Sequence, residues 1–285
     1  MLVAARPEIP LCGNISTGRA GLAALLAFEQ ACRAHRHCEI RINTRQLDWL
    51  DANLSAMLCA CLYRLTDTHG LRFSFDREQI RQRFSILARN GFVCAEGLSL
   101  PDWYGSAVRL QAFHADQDED FVQYIQHKVL GHPRLQLCDD QLSDMTRSFV
   151  ELFSNVNLHA NTRAPLFACG QHFGRKGQLK FSLVDLGDGY LPAIQRRQPG
   201  ISTAAQAIPW AVQPGHTTRP PEPGYYGTTG GFGLPDLIGY CQQVRGELQI
   251  VSGDAYWSSH APQQCQPIQP FAGTVVNVTL PCPAG

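Results

Sequence analysis

Apolar positions recur along the first third of the chain with both helical and strand-like spacing. The stretch "RAGLAALLAFEQACRAH" has the pattern of an apolar helix, whereas "CEIRIN" alternates as a strand does. In "DANLSAMLCACLYRLTDTHG", leucines recur at helical spacing, Asp51 stands where it would cap the helix, and Gly70 stands where it would end it. "LRFSF" predicts another strand and "REQIRQRFSILARNGF" a further helix. This alternation predicts a layered βαβ-type domain.

The alternation breaks at "EGLSLPDWYGSA", where proline and glycine interrupt the pattern. We therefore predict a first domain over residues 1–104 and a second over residues 105–285. In the second domain, "DEDFVQYIQHKVLG" and "DDQLSDMTRSFVELFSNVNLHA" predict helices. The segments "LFACGQHF" and "QLKFSLVDLG" predict strands, because β-branched and aromatic residues favour that conformation.

Residues 190–230 are rich in proline and glycine and show little periodicity. So long a connection is typical of a functional lid or of a disordered segment. The remaining pattern predicts a helix, a strand, a polar loop and a closing strand, which are "LPDLIGYCQQVRG", "ELQIVSG", "YWSSHAPQQCQPIQP" and "GTVVNVTLP". The chain as a whole is therefore predicted to be an α/β protein.

Charge and hydropathy narrow the class of protein. The 285 residues contain 24 Lys and Arg against 24 Asp and Glu, so the formal net charge is zero. A balanced charge argues against a broad surface for nucleic acid or for an anionic membrane. The chain has no apolar run of about 18 residues, which a membrane-spanning helix needs, and its first residues lack a signal-peptide pattern. We expect a cytoplasmic protein.

Eleven cysteines are scattered through apolar segments without a C-x-x-C pair, which favours buried, reduced thiols. One segment, "CRAHRHC", brings together four side chains of the types that bind zinc, namely Cys32, His35, His37 and Cys38. Structural zinc sites usually draw on two separated pairs, so this spacing fits a single tetrahedron poorly. A polar helix end is the favoured interpretation, and the role of the cluster is left open.

A polar stripe runs along one of the predicted helices, in "ELFSNVNLHA". Glu151, Asn155 and His159 are spaced four residues apart and so share one helix face. Charged side chains are rarely fully buried unless something pairs with them. The stripe therefore requires a partner, which is another side chain, solvent or a ligand.

Three further short motifs follow in the order "VDLGDG", "GGFGLPDL" and "GTVVNV". The first follows a predicted strand, the second leads into a predicted helix, and the third opens the last predicted strand. Their candidate site positions are Asp185, Gly187, Gly189, Gly230, Gly231, Gly233, Leu234 and Thr274. Taken singly, each motif is equally well explained by a tight turn, a helix cap or a strand start.

Together, the four motifs resemble those of the ATP-binding domain of the GHKL superfamily, which gyrase-type topoisomerases, ninety-kilodalton heat-shock chaperones, sensor histidine kinases and mismatch-repair ATPases share. The resemblance covers roughly residues 113–285. It implies a two-layer α/β sandwich of the histidine-kinase-type ATPase (Bergerat) fold, with ATP and Mg²⁺ as cofactors.

The resemblance also implies roles for individual residues. Glu151 would be the catalytic residue, a general base near the terminal phosphate. Asn155 would offer its carboxamide oxygen to Mg²⁺, and Asp185 would accept the adenine amino group. The glycines of "VDLGDG" would let the backbone approach the base closely, and those of "GGFGLPDL" would let it approach the phosphates at a helix N-terminus. His159 would either contact phosphate or stabilise the helix end.

The proline-rich segment matches the position of the family's mobile ATP lid. Thr217, Thr218 and Arg219 lie within it, and a cation with two hydroxyls would clasp phosphate oxygens there. An ordinary solvated loop explains this segment as well as an ATP lid does.

A second resemblance covers about residues 20–95, where "IRINTRQLDWLDANLSAMLCACLYRL" is similar to the STAS fold of anti-sigma-factor antagonists. Many members carry a serine just after the helix-heading Asp, and an ATP-binding partner phosphorylates it. Here Ala52 and Asn53 follow Asp51, and Ser55 lies one turn further on. A phosphorylated switch is therefore not expected at this position, whereas a docking role stays open.

The sequence thus predicts an ATP- and Mg²⁺-binding signalling protein, an ATPase-like switch that couples nucleotide state to a protein partner through the N-terminal domain. It is similar to bacterial anti-sigma-factor kinase and antagonist modules. A serine/threonine or histidine protein kinase is one alternative, and a nucleotide-sensing interaction module without turnover is the other. Neither nucleic acid nor a membrane is an expected partner, and a homodimer is left open.

Overall fold

The computed structural model of the chain describes residues 6–93, 97–159, 161–218, 231 and 233–282, with residues 157–159 described by their backbone alone. The strands are β1 (Glu8–Pro10), β2 (Gly13–Ile15), β3 (Glu39–Asn43), β4 (Leu47–Leu50), β5 (Arg72–Phe75), β6 (Ala107–Phe113), β7 (Leu166–Phe173), β8 (Gln178–Asp185), β9 (Glu247–Ser258) and β10 (Gln266–Pro281). The α-helices are α1 (Arg19–Cys32), α2 (Ser55–His69), α3 (Arg77–Arg83), α4 (Ser85–Arg89), α5 (Asp118–Tyr124), α6 (Asp139–His159), α7 (Tyr190–Arg197), α8 (Ala204–Ala211) and α9 (Gly233–Gln243). The protein is therefore of mixed α/β class, as predicted.

Parallel strands characterise the first part of the chain. A three-stranded sheet has the order β1-β3-β5, and β2 pairs with β4. Parallel pairing needs crossover connections, which α1 and α2 supply between successive strands. Helix α2 ends as predicted, since Gly70 follows it in the left-handed conformation, with φ 63°.

The second sheet is antiparallel and has the order β6-β7-β8-β10-β9. Strands β8 and β10, distant in sequence, are neighbours, and their register pairs Asp185 with Thr274. Two of the four sequence motifs thus meet at one end of this strand pair. Strand β6 was not predicted; its residues directly follow the break that proline and glycine mark in the sequence pattern.

Side chains on β8 point alternately to two different cores. Leu179, Phe181 and Leu183 are buried in the core that includes residues of α6 and α9. Val184 belongs to a second core with residues of α1 and α2. The antiparallel sheet is therefore covered on both faces, and hydrophobic residues from both sides of residue 104 share one core. The domain boundary at that residue stays a prediction.

The prediction that Asp51 caps α2 is wrong. A 3₁₀ turn over Ala52–Leu54 separates the two, and the Asp51 carboxylate makes no capping bond. Its oxygens instead accept hydrogen bonds from the backbone and hydroxyl of Thr17, from Trp49 Nε1 and from Lys180 Nζ on β8. Tertiary partners thus replace the local one.

Three other element predictions need correction. The helix expected over "REQIRQRFSILARNGF" is interrupted at Phe84, whose ring is buried and whose backbone leaves the helical region at φ −127°. The segment 190–230 contains α7 and α8 rather than loop alone, and a capping box between Thr203 and Gln206 starts α8. The polar loop predicted before the last strand is shorter than expected, because β9 and β10 remain paired as far as Tyr256 and Gln266.

Candidate functional site

A pocket lies between the antiparallel sheet and helices α6, α7 and α9. Its apolar lining includes Leu183 and Val276 of the sheet, Leu152 and Val156 of α6, and Ile194 of α7. The residues predicted from sequence that line it are Glu151, Asn155, Asp185, Gly189, Thr217, Thr218, Gly231, Leu234 and Thr274. Parts of all four motifs therefore meet in one concave, mostly apolar site, which is the usual form of a small-molecule pocket.

The other predicted site residues have different positions. Gly187 is buried and donates its backbone N–H to Asp185 Oδ1 at 2.8 Å. Gly233, the first residue of α9, lies against Glu151, since a Cβ there would be 2.8 Å from the Glu151 Cβ. The backbone of His159 ends α6, and its side chain is outside the described residues, as are Arg219 and Gly230.

Asp185 forms the buried polar part of the pocket. Its carboxylate accepts the Gly187 N–H and hydrogen bonds from the hydroxyl and backbone of Thr274. Burial raises the pKa of Asp185 to about 6, although these hydrogen bonds oppose the shift. A carboxylate fixed in this way, in an apolar pocket, suits a ligand that offers it an N–H donor.

Close packing fixes the backbone behind this carboxylate. Gly273 has φ 135°, and a Cβ there would lie 2.0 Å from the Asp185 carbonyl oxygen. The glycine in the "GTVVNV" motif is thus required by the approach of β10 to β8. Any residue with a Cβ at this position would collide with the Asp185 carbonyl group.

We predict that Gly273→Ala lowers the free energy of unfolding by about 2 kcal/mol or more, because both the positive φ and the contact with Asp185 become strained. Urea unfolding followed by circular dichroism measures this. Gly200→Ala is the matched control, because no atom lies within 4 Å of a Cβ built there. Equal unfolding midpoints for the two variants would contradict the argument.

Glu151 and Asn155 present their side chains from successive turns of α6 along the pocket wall. The Gly231 N–H donates to Glu151 Oε1 at 2.6 Å, so this carboxylate contacts the segment that leads into α9. Gly231 also accepts a hydrogen bond from the Gly215 N–H through its carbonyl, at 3.2 Å. The "GGFGLPDL" motif is thus joined to α6 by direct contact.

Several pocket residues were missed in the sequence. Tyr190, Ala193 and Ile194 come from α7, and Trp210 comes from α8. The Thr-x-x-Gln capping box before α8 was readable in the sequence, but the prolines and glycines around it favoured a loop. These helices supply a large share of the apolar wall.

His216 is a further missed residue of the pocket. Its Nδ1 lies 3.0 Å from the Trp210 carbonyl oxygen, and its ring centroid lies 4.6 Å from that of Trp210. A carbonyl only accepts hydrogen bonds, so Nδ1 carries the proton, and Nε2 is the ring atom left for other partners. The pocket wall therefore includes an imidazole that is held against Trp210.

Mg²⁺ requires oxygen ligands, and the pocket lining contains side chains that offer them. Within the described residues, no group of three or more His, Cys, Asp or Glu side chains is arranged to hold a metal. Mg²⁺ bound with a nucleotide usually takes one or two protein oxygens, phosphate oxygens and water. The Asn155 carboxamide, in the pocket lining, offers one such protein oxygen and fits that requirement.

Comparison with protein-family models and with curated proteins gives no match. Across the described part of the chain, the helices are all too short or too polar to cross a membrane.

The ten cysteines that the structure describes are unpaired thiols, and five of them are buried, namely Cys32, Cys61, Cys169, Cys241 and Cys282. Burial raises the pKa of Cys32 to about 12, so that thiol stays protonated at neutral pH.

Proposed function

We propose that the chain is an ATP- and Mg²⁺-binding signalling protein that hydrolyses ATP and thereby switches its interaction with a protein partner. One observation carries the proposal: the helix stripe, the Asp motif, the glycine motif and the last strand, which are separated in sequence, all contribute to one pocket. Each motif alone has an ordinary structural explanation. Their meeting in one site is what the GHKL resemblance requires.

Each end of the pocket has the chemistry for a different part of the nucleotide. At the buried end, Asp185 would accept the adenine amino group, with Leu183 and Val276 against the base. At the other end, the N-terminus of α9 carries a partial positive charge, and the N–H groups of its first turn have no partner within the helix, a combination that suits phosphates. Asn155 would hold Mg²⁺, which neutralises phosphate charge when bound, and Glu151 would accept the proton of the attacking water.

The topology supports a Bergerat-type assignment for the second part of the chain. Helices α6 and α9 pack together on one face of an antiparallel sheet, and the pocket lies between them and that sheet. The parallel strands with α1 and α2 support a STAS-like assignment for the first part.

Ala52, where many STAS domains carry the phosphorylated serine, is buried, and its N–H donates to Gln171 of β7. We therefore propose that the STAS-like part signals by docking rather than by phosphorylation at this position.

The test is incubation of the purified protein with γ-labelled ATP, with and without Mg²⁺, counting free phosphate and protein-bound label separately. We expect Mg²⁺-dependent release of phosphate. Glu151→Ala should slow it by about 10²–10⁴-fold, the usual effect of losing a general base. Asn155→Ala should also lose this activity, because Mg²⁺ would then lack its protein ligand. Glu119→Ala, which removes an exposed carboxylate of α5 outside the pocket, should release phosphate at the wild-type rate.

Other outcomes would select among the alternatives. Label that stays on the protein, or on a partner added from lysate, would identify a protein kinase instead. Binding of ATP without label transfer or release would identify a nucleotide-sensing module. Failure to bind ATP would show that the pocket takes a different ligand.

A further inference from the structure

The carboxylate of Glu151 occupies a position that suits a phosphate. The Gly231 N–H donates to its Oε1 at 2.6 Å, and phosphate oxygens accept hydrogen bonds from backbone N–H groups in the same way. Gly231 lies two residues before the first residue of α9, which begins at Gly233 and continues for 11 residues. The backbone N–H groups at such a helix start have no partner within the helix and attract anions.

Packing holds the carboxylate in this position. A Cβ at Gly233 would lie 2.8 Å from the Glu151 Cβ and 3.0 Å from the Ser148 carbonyl oxygen, so the start of α9 rests directly on α6. A Cβ at Gly231 would lie 2.6 Å from the His216 carbonyl oxygen, so its backbone is enclosed on the other side. The Gly231 N–H is therefore directed at the helix face that carries Glu151.

We propose that the Glu151 carboxylate competes with nucleotide phosphate for the Gly231 N–H and so keeps the ligand-free site inactive. This inference rests on the proposed function. In the absence of nucleotide, the hydrogen bond to Gly231 would keep the carboxylate from acting as the base toward the attacking water. A phosphate oxygen that accepts the Gly231 N–H would displace it, and the released carboxylate would then be available as the base. Phosphate binding and activation of the base would thus be one event.

The proposal predicts tighter binding of phosphate-bearing ligands when the contact is lost. Glu151→Asp keeps the charge but is one methylene shorter, so it cannot reach Gly231 from the same backbone position. We expect it to bind ADP about tenfold more tightly than the wild type, since the competing charge-assisted hydrogen bond is gone. Glu151→Gln, a weaker acceptor without charge, should also bind ADP more tightly. Isothermal titration calorimetry with ADP and with adenosine, which has no phosphate, measures both.

The same experiment separates the contact from simple repulsion between charges. If adenosine affinity is unchanged while both variants gain affinity for ADP, the competition is supported. If only Glu151→Gln gains, repulsion explains the result and the proposal fails; it fails also if neither variant gains, or if adenosine gains as much as ADP. Thermal unfolding of each variant verifies that the fold is intact.

The resonance of the Gly231 amide tests the contact with Glu151 independently of ligand binding. In ¹⁵N–¹H spectra of the nucleotide-free protein, Glu151→Asp should shift this amide resonance, whatever the ligand of the pocket proves to be. An unshifted resonance would overturn the contact itself. A shifted resonance in a protein that binds neither ADP nor ATP would instead overturn the proposed function and leave the contact standing.

Discussion

Replacing Asp185 by Asn should weaken ATP binding by about 100-fold and at the same time stabilise the ligand-free protein above pH 6. The loss of affinity follows because an ionised, buried acceptor is replaced by a neutral carboxamide, and hydrogen bonds to charged groups are the stronger ones. The gain in stability follows because burial raises the pKa of Asp185 to about 6, so the ionised form is disfavoured in the folded state.

The sign of the pH dependence follows from linkage. A carboxyl group with a folded-state pKa of about 6, against an ordinary value of 3.8, binds its proton more tightly in the folded protein. Its stabilising contribution is complete below the ordinary pKa and is lost as the pH rises through the folded value. The wild type should therefore lose stability relative to Asp185→Asn between about pH 4 and pH 7.

Melting temperatures across this pH range, with calorimetric titration of ATP at pH 7.5, would measure both effects. Asp188→Asn is the control: Asp188 is exposed, and its Oδ2 lies 3.3 Å from Asn161 Nδ2. Its melting curve should run parallel to that of the wild type. Parallel curves for Asp185→Asn as well would show that the carboxyl group is hydrated in solution.

The parts of the fold that the sequence predicted best are those where local pattern and tertiary packing agree. Strand β7 begins and ends at the predicted residues, and α6 begins at Asp139, the first residue of the predicted segment. In strand β8, Leu179, Phe181 and Leu183 alternate with polar residues and are buried in one core, a pattern that is typical of a strand. All three segments are at least eight residues long, and the local preference of their residues has no strong competitor there.

Side-chain partners from distant elements could not be predicted. Asp51 had the position of a helix cap, yet its charge is balanced by Lys180, which lies 129 residues away. The same holds for Asn53, whose Nδ2 donates to Ser182 Oγ at 2.8 Å. Nothing in the spacing of polar residues shows which face of a sheet another layer will cover. The contribution of α7 to the pocket escaped prediction for the same reason.

For the candidate site, sequence order indicated which residues would meet but not how they would contact one another. The stripe on α6 and the glycines before α9 were each visible as motifs. The hydrogen bond between Glu151 and Gly231 depends on how two helices pack, which only the three-dimensional arrangement gives. The raised pKa of Asp185 likewise depends on burial by strands β8 and β10 and by the residues around them.

Lys180→Met should lower the free energy of unfolding by about 3–5 kcal/mol, the usual effect of leaving one member of a buried ion pair without its partner. Asp51 is fully buried, and Lys180 Nζ lies 2.7 Å from its Oδ2. Burial alone would raise the pKa of Asp51, but the hydrogen bonds from Lys180, Thr17 and Trp49 outweigh it, so the pKa is lowered. Without the ammonium group, a buried carboxylate remains without its charged partner.

Urea unfolding of three variants tests whether the pair acts as a unit. The double variant Asp51→Asn with Lys180→Met should recover much of the loss, because no uncompensated charge then remains. Arg6→Met is the control; it removes an exposed pair with Glu39, in which the Arg6 side chain is 65% accessible, and should change the free energy by about 1 kcal/mol or less.

The stability that the Asp51 carboxylate contributes should be complete above its ordinary pKa of 3.8 and should fall as the pH drops through its lower folded value. Asp51→Asn should therefore remove that part of the acid dependence. Because Lys180 and Asp185 lie on the same strand, a well-folded Lys180→Met variant that still binds ATP normally would show that this ion pair stabilises the packing of the two layers independently of the pocket. A loss below about 1 kcal/mol would mean that water replaces the lost partner.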